Sequence, residues 1–348
     1  MFELISRLFD TDETKQEENN GTLVSRVSCD ENGDCKPKSH KDACICMIDI
    51  VNFSKWCNNK QPEEIFKTMT LYNMFLSDLI TPFVDVEKIE LVGDSVLIMA
   101  GLTQMTGVDT RVKNIVDLSV SILSHMEYIQ SIFDKDISLR IGIHIGDVYS
   151  GFIENPTKFQ LFGNSINTAS RLERSSIPGT FTVSESAYRW FFRNPTPEFM
   201  EKFIFGNPIV CRFKGMGKVE TRTGYIKQQK ALIADDDQVA LSSLERVAKM
   251  KYNLDSVYAH SVEDVFETMK RYVFEVCILD IYFANITVFS GLLEFRQWEK
   301  IHRQSKQTII LASAEIDEDY YIHQTYNNFV EGFVNKNKMF ELTQYPEL

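Results

Sequence analysis

No run of about 18 apolar residues occurs in this chain of 348 residues, which excludes a conventional membrane-spanning helix. The first residues carry neither the apolar core nor the small-residue cleavage site of a secretory leader, so none is expected. Positive charge is scarce: 37 Lys and Arg stand against 49 Asp and Glu, a formal net charge of −12. That balance argues against broad nucleic-acid binding and against an electrostatic membrane anchor. Cysteine occurs seven times, scattered and without pairs at zinc-ligand spacing. Cys29 and Cys35 flank a glycine-containing turn, while Cys44 and Cys46 alternate in an apolar strand pattern as core residues. The reading is a reducing compartment, the cytoplasm. Internal repeats and long low-complexity tracts are missing as well.

What is present suffices for packed cores: 44% of residues are hydrophobic and 12% aromatic, and the length suits two domains. Residues 1–40 read as a flexible leader, polar and turn-rich, with MFELISRLF as a short amphipathic helix for packing or dimerisation. From 41 to 227, strand and helix patterns alternate. PEEIFKTMTLYNMFLSDLI begins with proline at a helix N-terminus and ends before Pro82. VDVEKIEL alternates with period two, and SLRIGIHIG and VYSGFI read as two strands about a Gly146–Asp147 turn. This order predicts an α/β sandwich on a largely antiparallel sheet. Residues 228–348 change pattern: ALIA, SVYAH, CILDI, TIILAS and GFVN are short apolar strands, mostly separated by helix-length segments. That spacing predicts a parallel, doubly wound sheet, joined to the first domain at the KQQK stretch 227–230.

The most informative stretch is KFQLFGNSINTASRLER, residues 158–174. Gly163 marks a turn, after which Asn167 and Arg171 sit four apart and share one helix face. An amide and a forked cation suit an oxyanion and a phosphate. Asp49 in CICMIDIVNFSKW ends an apolar strand, and Asp94 in KIELVGDSVLIMAG follows a glycine turn. Carboxylates at neighbouring strand ends can hold hard divalent cations. LRIGIHIGDVYSG, IPGTFTVSESAY and FKGMGKVETRTGY complete the ordered blocks. His144, on a strand beside glycines, reads as structural.

These blocks resemble the signature of class III nucleotidyl cyclases, the adenylyl and guanylyl cyclases, across residues 41–227. The resemblance implies a ferredoxin-like α/β sandwich. It implies that Asp49 and Asp94, with the Ile50 backbone, hold a pair of Mg²⁺ or Mn²⁺ ions. One ion would lower the pKa of the ribose 3′-hydroxyl, and the other would neutralise the triphosphate. Asn167 and Arg171 match the pair that positions ribose and stabilises the pentavalent phosphorus. Because that pair and the base-reading residues come from the protomer opposite the metal carboxylates, a head-to-tail homodimer with two composite sites follows.

Base choice rests on Glu90, four before Asp94, and Gln160, seven before Asn167. Related adenylyl cyclases have Lys at the first position and guanylyl cyclases Glu. A carboxylate accepts from guanine N1–H and the N2 amino group, whereas adenine N1 would face it lone pair to lone pair. Gln160 can serve either base, so Glu90 decides for GTP, with ATP as the alternative. Lys88 is expected on the same strand face as Glu90, two residues earlier. Met216 stands where the family often has a phosphate-binding Lys, with Lys214 and Lys218 as substitutes, and Asp147 stands where some adenylyl cyclases have a phosphate-binding Arg.

In the second segment, Asp235 and Asp236 in IADDDQ, Asp280 in CILDI, Ser313 in IILASAE and Lys336 in GFVNK resemble a response-regulator receiver domain of flavodoxin-like fold. The resemblance implies Mg²⁺ on the acidic pair, phosphate on Asp280, contacts from Ser313 and Lys336, and Phe333 as the aromatic switch residue. A histidine kinase or phosphotransfer protein would be the partner. Asn337 replaces the proline that usually follows the Lys, Pro346 shortens the last helix, and the segment after Asp280 is longer than usual. The whole reads as a receiver-regulated guanylyl cyclase making cyclic GMP and pyrophosphate. The alternatives are an adenylyl cyclase or a catalytically inactive phosphorelay or nucleotide-binding module.

Overall fold

The computed structural model describes residues 37–58, 60–133, 137–153, 158–193, 197–283, 286–313 and 328–336. The expected N-terminal helix, residues 1–36 of the expected leader, Cys29, Cys35, Asn337 and the final helix lie outside these residues, whereas residues 38–40, read as leader, belong to the first strand, with His40 buried against Ser150. Elements run in the order β1 (Lys38–Val51), α1 (Phe53–Cys57), α2 (Pro62–Ile80), β2 (Val86–Val92), β3 (Ser95–Ala100), α3 (Val108–Ser124), α4 (Met126–Phe133), β4 (Ser138–Ile153) and β5 (Lys158–Phe162). Then come α5 (Asn164–Ser175), β6 (Phe181–Ser184), α6 (Glu185–Phe191), α7 (Pro197–Met200), β7 (Phe203–Phe205), β8 (Ile209–Phe213) and β9 (Gly217–Ala234). The last segment contains α8 (Gln238–Tyr252), β10 (Asp255–Ala259), α9 (Val262–Arg271), β11 (Tyr272–Asp280), β12 (Tyr282–Phe283), β13 (Ile286–Thr287), α10 (Phe289–His302), β14 (Ile309–Ser313) and β15 (Gly332–Asn335).

Helix α2 forms for local reasons. Pro62 fits the first turn, and the Glu64 carboxylate accepts from the Gln61 N–H at 3.1 Å. Tyr72, Leu76 and Ile80, four apart, bury one stripe against the sheet. The first half of the sheet follows the order β9-β6-β4-β1-β3-β2 and is antiparallel except for β4–β6. One face carries the large core of α1 to α4 and α6. The other carries Ala43, Ile45, Met99, Val148 and Ala169 beneath α5.

The expected turn at Gly146–Asp147 does not form: β4 runs unbroken from Ser138 to Ile153. Strand β1 pairs with it on both sides, His40 with Val148 and Ala43 with Gly146, and a bulge in β1 absorbs the mismatch. Strand β9 likewise passes through residues 227–230 without a break. Its first part pairs antiparallel with β6, β7 and β8, and its second part parallel with β10 and β11. Beyond it the strands follow the order β10-β9-β11-β14-β15, every pair parallel. Apolar clusters lie on both faces of this half, as expected of a doubly wound sheet. After Asp280, β12 and β13 pair antiparallel, Tyr282 with Thr287 and Phe283 with Ile286.

Candidate active site

Asp49 lies near the end of β1, beside Ile50 and opposite Arg140 of β4. Asp94 follows Gly93, whose φ of +62° makes the tight β2–β3 turn. Asp49 Oδ1 accepts from the Ser95 hydroxyl at 2.9 Å, and Oδ2 accepts from Arg140 Nη2 at 2.7 Å. Arg140 Nε also sits 3.0 Å from Glu173 Oε1 of α5, an ion pair off the angle of a hydrogen bond. Burial, then the Asp49 charge, pushes Asp94 above the ordinary carboxylate range. The same causes in the same order hold Glu173 at about 7. Asp49 and Asp94 at neighbouring strand ends offer hard carboxylate oxygens, a donor set that fits Mg²⁺ or Mn²⁺.

The two positions expected to read the base meet in one cavity. Glu90 and Gln160 line a volume of about 200 Å³ with Met47, Leu97 and Ile166 as apolar walls. Lys88 does not share this face. A register shift between Lys88 and Glu90 sets Lys88 opposite Ile98 and Glu90 opposite Leu97, which belong to the cores on opposite sides of the sheet. The bulge defeats the period-two expectation. Lys88 instead reaches α2, donating to the Asn73 side-chain oxygen at 2.7 Å and to the Ser77 hydroxyl. Burial lowers its pKa to about 8.

Helix α5 lies unusually close to β4. A Cβ on Gly142 would sit 2.2 Å from the Ala169 carbonyl oxygen, so only glycine admits the helix here. That approach sets Asn167 and Arg171 on a cleft of about 520 Å³, together with Arg174 of α5 and Arg212 and Lys214 of β8 and its turn. Met216 and Lys218 are not among its lining residues. Sequence reasoning missed Arg174 and Arg212. Their signal was the spacing: Arg174 follows Arg171 by three on a helix, and Arg212 precedes Lys214 by two at a strand end. His144 Nδ1 pairs with the Ser184 hydroxyl at 2.9 Å, and burial lowers it to about 4, so it is neutral.

The profile of the adenylate and guanylate cyclase catalytic domain matches residues 35–222, more than half of the chain. The chain belongs to this family. A receptor-type guanylate cyclase of Caenorhabditis elegans, gcy-20, is 32% identical over 206 residues, which cover 56% of this chain and 18% of that protein. The cyclase domain thus spans under a fifth of that relative. Among solved structures, the guanylate cyclase domain of RhGC from Catenaria anguillulae in complex with GTP aligns with TM-score 0.48 at 23% identity, covering 54% of this chain and 98% of that one. The adenylyl cyclase CyaB from P. aeruginosa aligns with TM-score 0.48 at 18% identity, covering 54% and 95%.

Outside the part matched by the cyclase profile, a second polar cluster gathers at the carboxyl edge of the parallel strands. Ligand oxygens of Asp235, Asp236 and Asp280 lie within 4.8 Å of one another, an arrangement that fits a hard cation. Lys336 Nζ is 2.7 Å from both Asp235 Oδ2 and Asp280 Oδ1. Burial raises the Asp280 carboxyl, against the pull of Lys336. Burial acts to lower Lys336, but Asp235 and Asp280 outweigh it and its pKa is raised. Ser313 is buried at the end of β14, one strand from Asp280, and half-buried Phe333 packs against the core of this half. No described helix is long and apolar enough to cross a membrane.

Proposed function

We propose that this chain is a guanylyl cyclase, converting GTP to cyclic GMP and pyrophosphate at sites shared between two copies. The observation that carries this is the single cavity joining Glu90 to Gln160 between apolar walls. A flat base fits between Met47, Leu97 and Ile166, and the Glu90 carboxylate accepts from the guanine edge. Guanylate cyclase relatives support the same choice. Adenine would leave the carboxylate facing a lone pair, at a cost of about 1–3 kcal/mol or more.

In this reading Asp49 and Asp94, with the Ile50 backbone, are the metal ligands. A bound Mg²⁺ or Mn²⁺ pair supplies charge neutralisation and a more acidic ribose hydroxyl. Arg140 holds Asp49 in register, Asn167 orients the ribose, and Arg171 meets the charge that develops on the α-phosphate. One chain carries the acidic pair, the base cavity and the cationic cleft; a head-to-tail homodimer brings complementary halves together.

The same proposal divides the chain into a leader that ends before β1 begins at Lys38, a cyclase domain to residue 227 and a receiver domain (228–348). Asp280 is the phosphoacceptor, Asp235 and Asp236 bind Mg²⁺, Ser313 and Lys336 contact the phosphoryl group, and Phe333 switches with it. A histidine kinase or phosphotransfer protein supplies the phosphate. The parallel order β10-β9-β11-β14-β15 and the Lys336 contacts support this. Purified protein incubated with Mg²⁺ or Mn²⁺ and either GTP or ATP tests the proposal, with products identified by mass spectrometry. Cyclic GMP is expected, lost in Asp49→Ala; cyclic AMP as the main product would overturn the base reading.

A further inference from the structure

The cavity of Glu90 and Gln160 has a further polar lining residue, Ser95, the first residue of β3. Strand register puts it there. Leu97 of β3 lies opposite Glu90 of β2 and opposite Met47 of β1. Side chains two apart on a strand share a face, so Ser95 joins Leu97, and Asp49 joins Met47, on the side of the sheet that holds the cavity. Val96, between Ser95 and Leu97, is buried in the core on the opposite side.

Ser95 reaches the cavity with its proton already committed. Its hydroxyl donates to Asp49 Oδ1 at 2.9 Å, and Arg140 Nη2 donates to Oδ2 of the same carboxylate at 2.7 Å. A carboxylate oxygen only accepts, so the direction of the Ser95 bond is fixed. The Ser95 oxygen keeps its lone pairs for the cavity and has no proton to offer it. The polar side-chain atoms that β2 and β3 bring to the cavity, from Glu90 and Ser95, are therefore acceptors, while Gln160 of β5 adds an amide that can donate.

Guanine presents N1–H and an amino group on C2 with a pair of hydrogens. The Glu90 carboxylate can take N1–H and one amino hydrogen with its two oxygens. The other amino hydrogen is left in need of an acceptor. We propose that Ser95 reads the guanine 2-amino group, accepting this remaining hydrogen through the oxygen whose proton Asp49 holds. This rests on the reading of the cavity as the base site. Glu90 then separates guanine from adenine at N1, and Ser95 sharpens the separation of guanine from hypoxanthine, which keeps N1–H and O6 but lacks the amino group.

Titration calorimetry of the full chain with GDP and with IDP, in Mg²⁺, reads the contact without turnover. Wild type should bind GDP at least tenfold more tightly than IDP, and Ser95→Ala should cut that preference about fivefold. Ser95→Thr, which keeps the hydroxyl, should retain most of it. In turnover assays Ser95→Ala should lower the GTP-to-ITP ratio of kcat/KM by a similar factor. The ATP-to-ITP ratio should stay unchanged, because neither base carries the amino group. The donor lost from Asp49 weighs on every nucleotide alike and cancels in these ratios. Equal affinity for GDP and IDP in wild type overturns the proposal, as does a preference that Ser95→Ala leaves intact. Either result beside cyclic GMP production would remove Ser95 from base reading and leave the guanylyl cyclase standing. A Ser95-dependent preference for GDP in a protein that makes no cyclic nucleotide would do the reverse.

Discussion

The two halves of this molecule gather their polar residues in opposite ways. In the parallel half, Asp235, Asp280 and Lys336 sit on β9, β11 and β15 or just beyond their ends, and they meet within 2.7 Å contacts. Every strand points the same way, so strand ends converge on one edge and the crevice there is a product of topology. In the antiparallel half, neighbouring strands end on opposite edges. Asp49 and Asp94, the cavity of Glu90 and Gln160, and the cleft of Asn167 and Arg171 are therefore lined by different residues of one chain, and the proposed homodimer would join them. The parallel sheet gathers its polar residues at one edge, whereas the antiparallel one spreads them over separate surfaces.

Exchanging the base-reading pair tests the distributed half most severely. Glu90→Lys with Gln160→Asp should shift the GTP-to-ATP ratio of kcat/KM toward ATP by a hundredfold or more, roughly the discrimination that a mispaired buried polar group produces. Parallel steady-state assays on both nucleotides would show this, and an unchanged ratio would mean the cavity does not hold the base.

The concentrated half is tested by Asp280→Asn. In wild type a small-molecule phosphodonor should change turnover about fivefold or more, within the usual range of coupling energies, and the variant should not respond. Equal rates for both proteins, with and without donor, would remove Asp280 from regulation.

A smaller effect is expected where the halves touch. The Asn207 side-chain amide donates to the carbonyls of Lys300, Ile301 and Arg303 at 3.2, 3.1 and 2.9 Å, capping the end of α10. Asn207→Ala should lower stability by about 1–2 kcal/mol and weaken any donor response, read by thermal melts and the same assay. A donor response undiminished in this variant would show that the halves communicate elsewhere, for instance along β9.

The smallest effect concerns pH. Burial, then Asp49, holds Glu173 at about 7 against an ordinary 4.5. The folded chain thus binds this proton more tightly than the unfolded one. Its contribution to stability is complete below about pH 4.5 and is lost as pH rises through about 7. Glu173→Gln should flatten the dependence of Tm on pH across that window; an unaltered slope would place the titrating group elsewhere.

Much of both sites was legible in the chain. Helical period put Asn167 and Arg171 on one face, and strand–helix alternation anticipated the parallel half with Asp280 at a strand end. Those signals are local and repeat every two or 3.6 residues. Three features were not legible. The Lys88–Glu90 bulge, the unbroken course of β4 and the meeting of Arg174 with Arg212 each depend on a partner strand or helix distant in sequence. The sequence by itself determined which residues carry charge, which faces are apolar and where helices begin. Only the tertiary structure decided which side of the sheet Glu90 faces and which cations share a cleft, because register is set between strands and not within them.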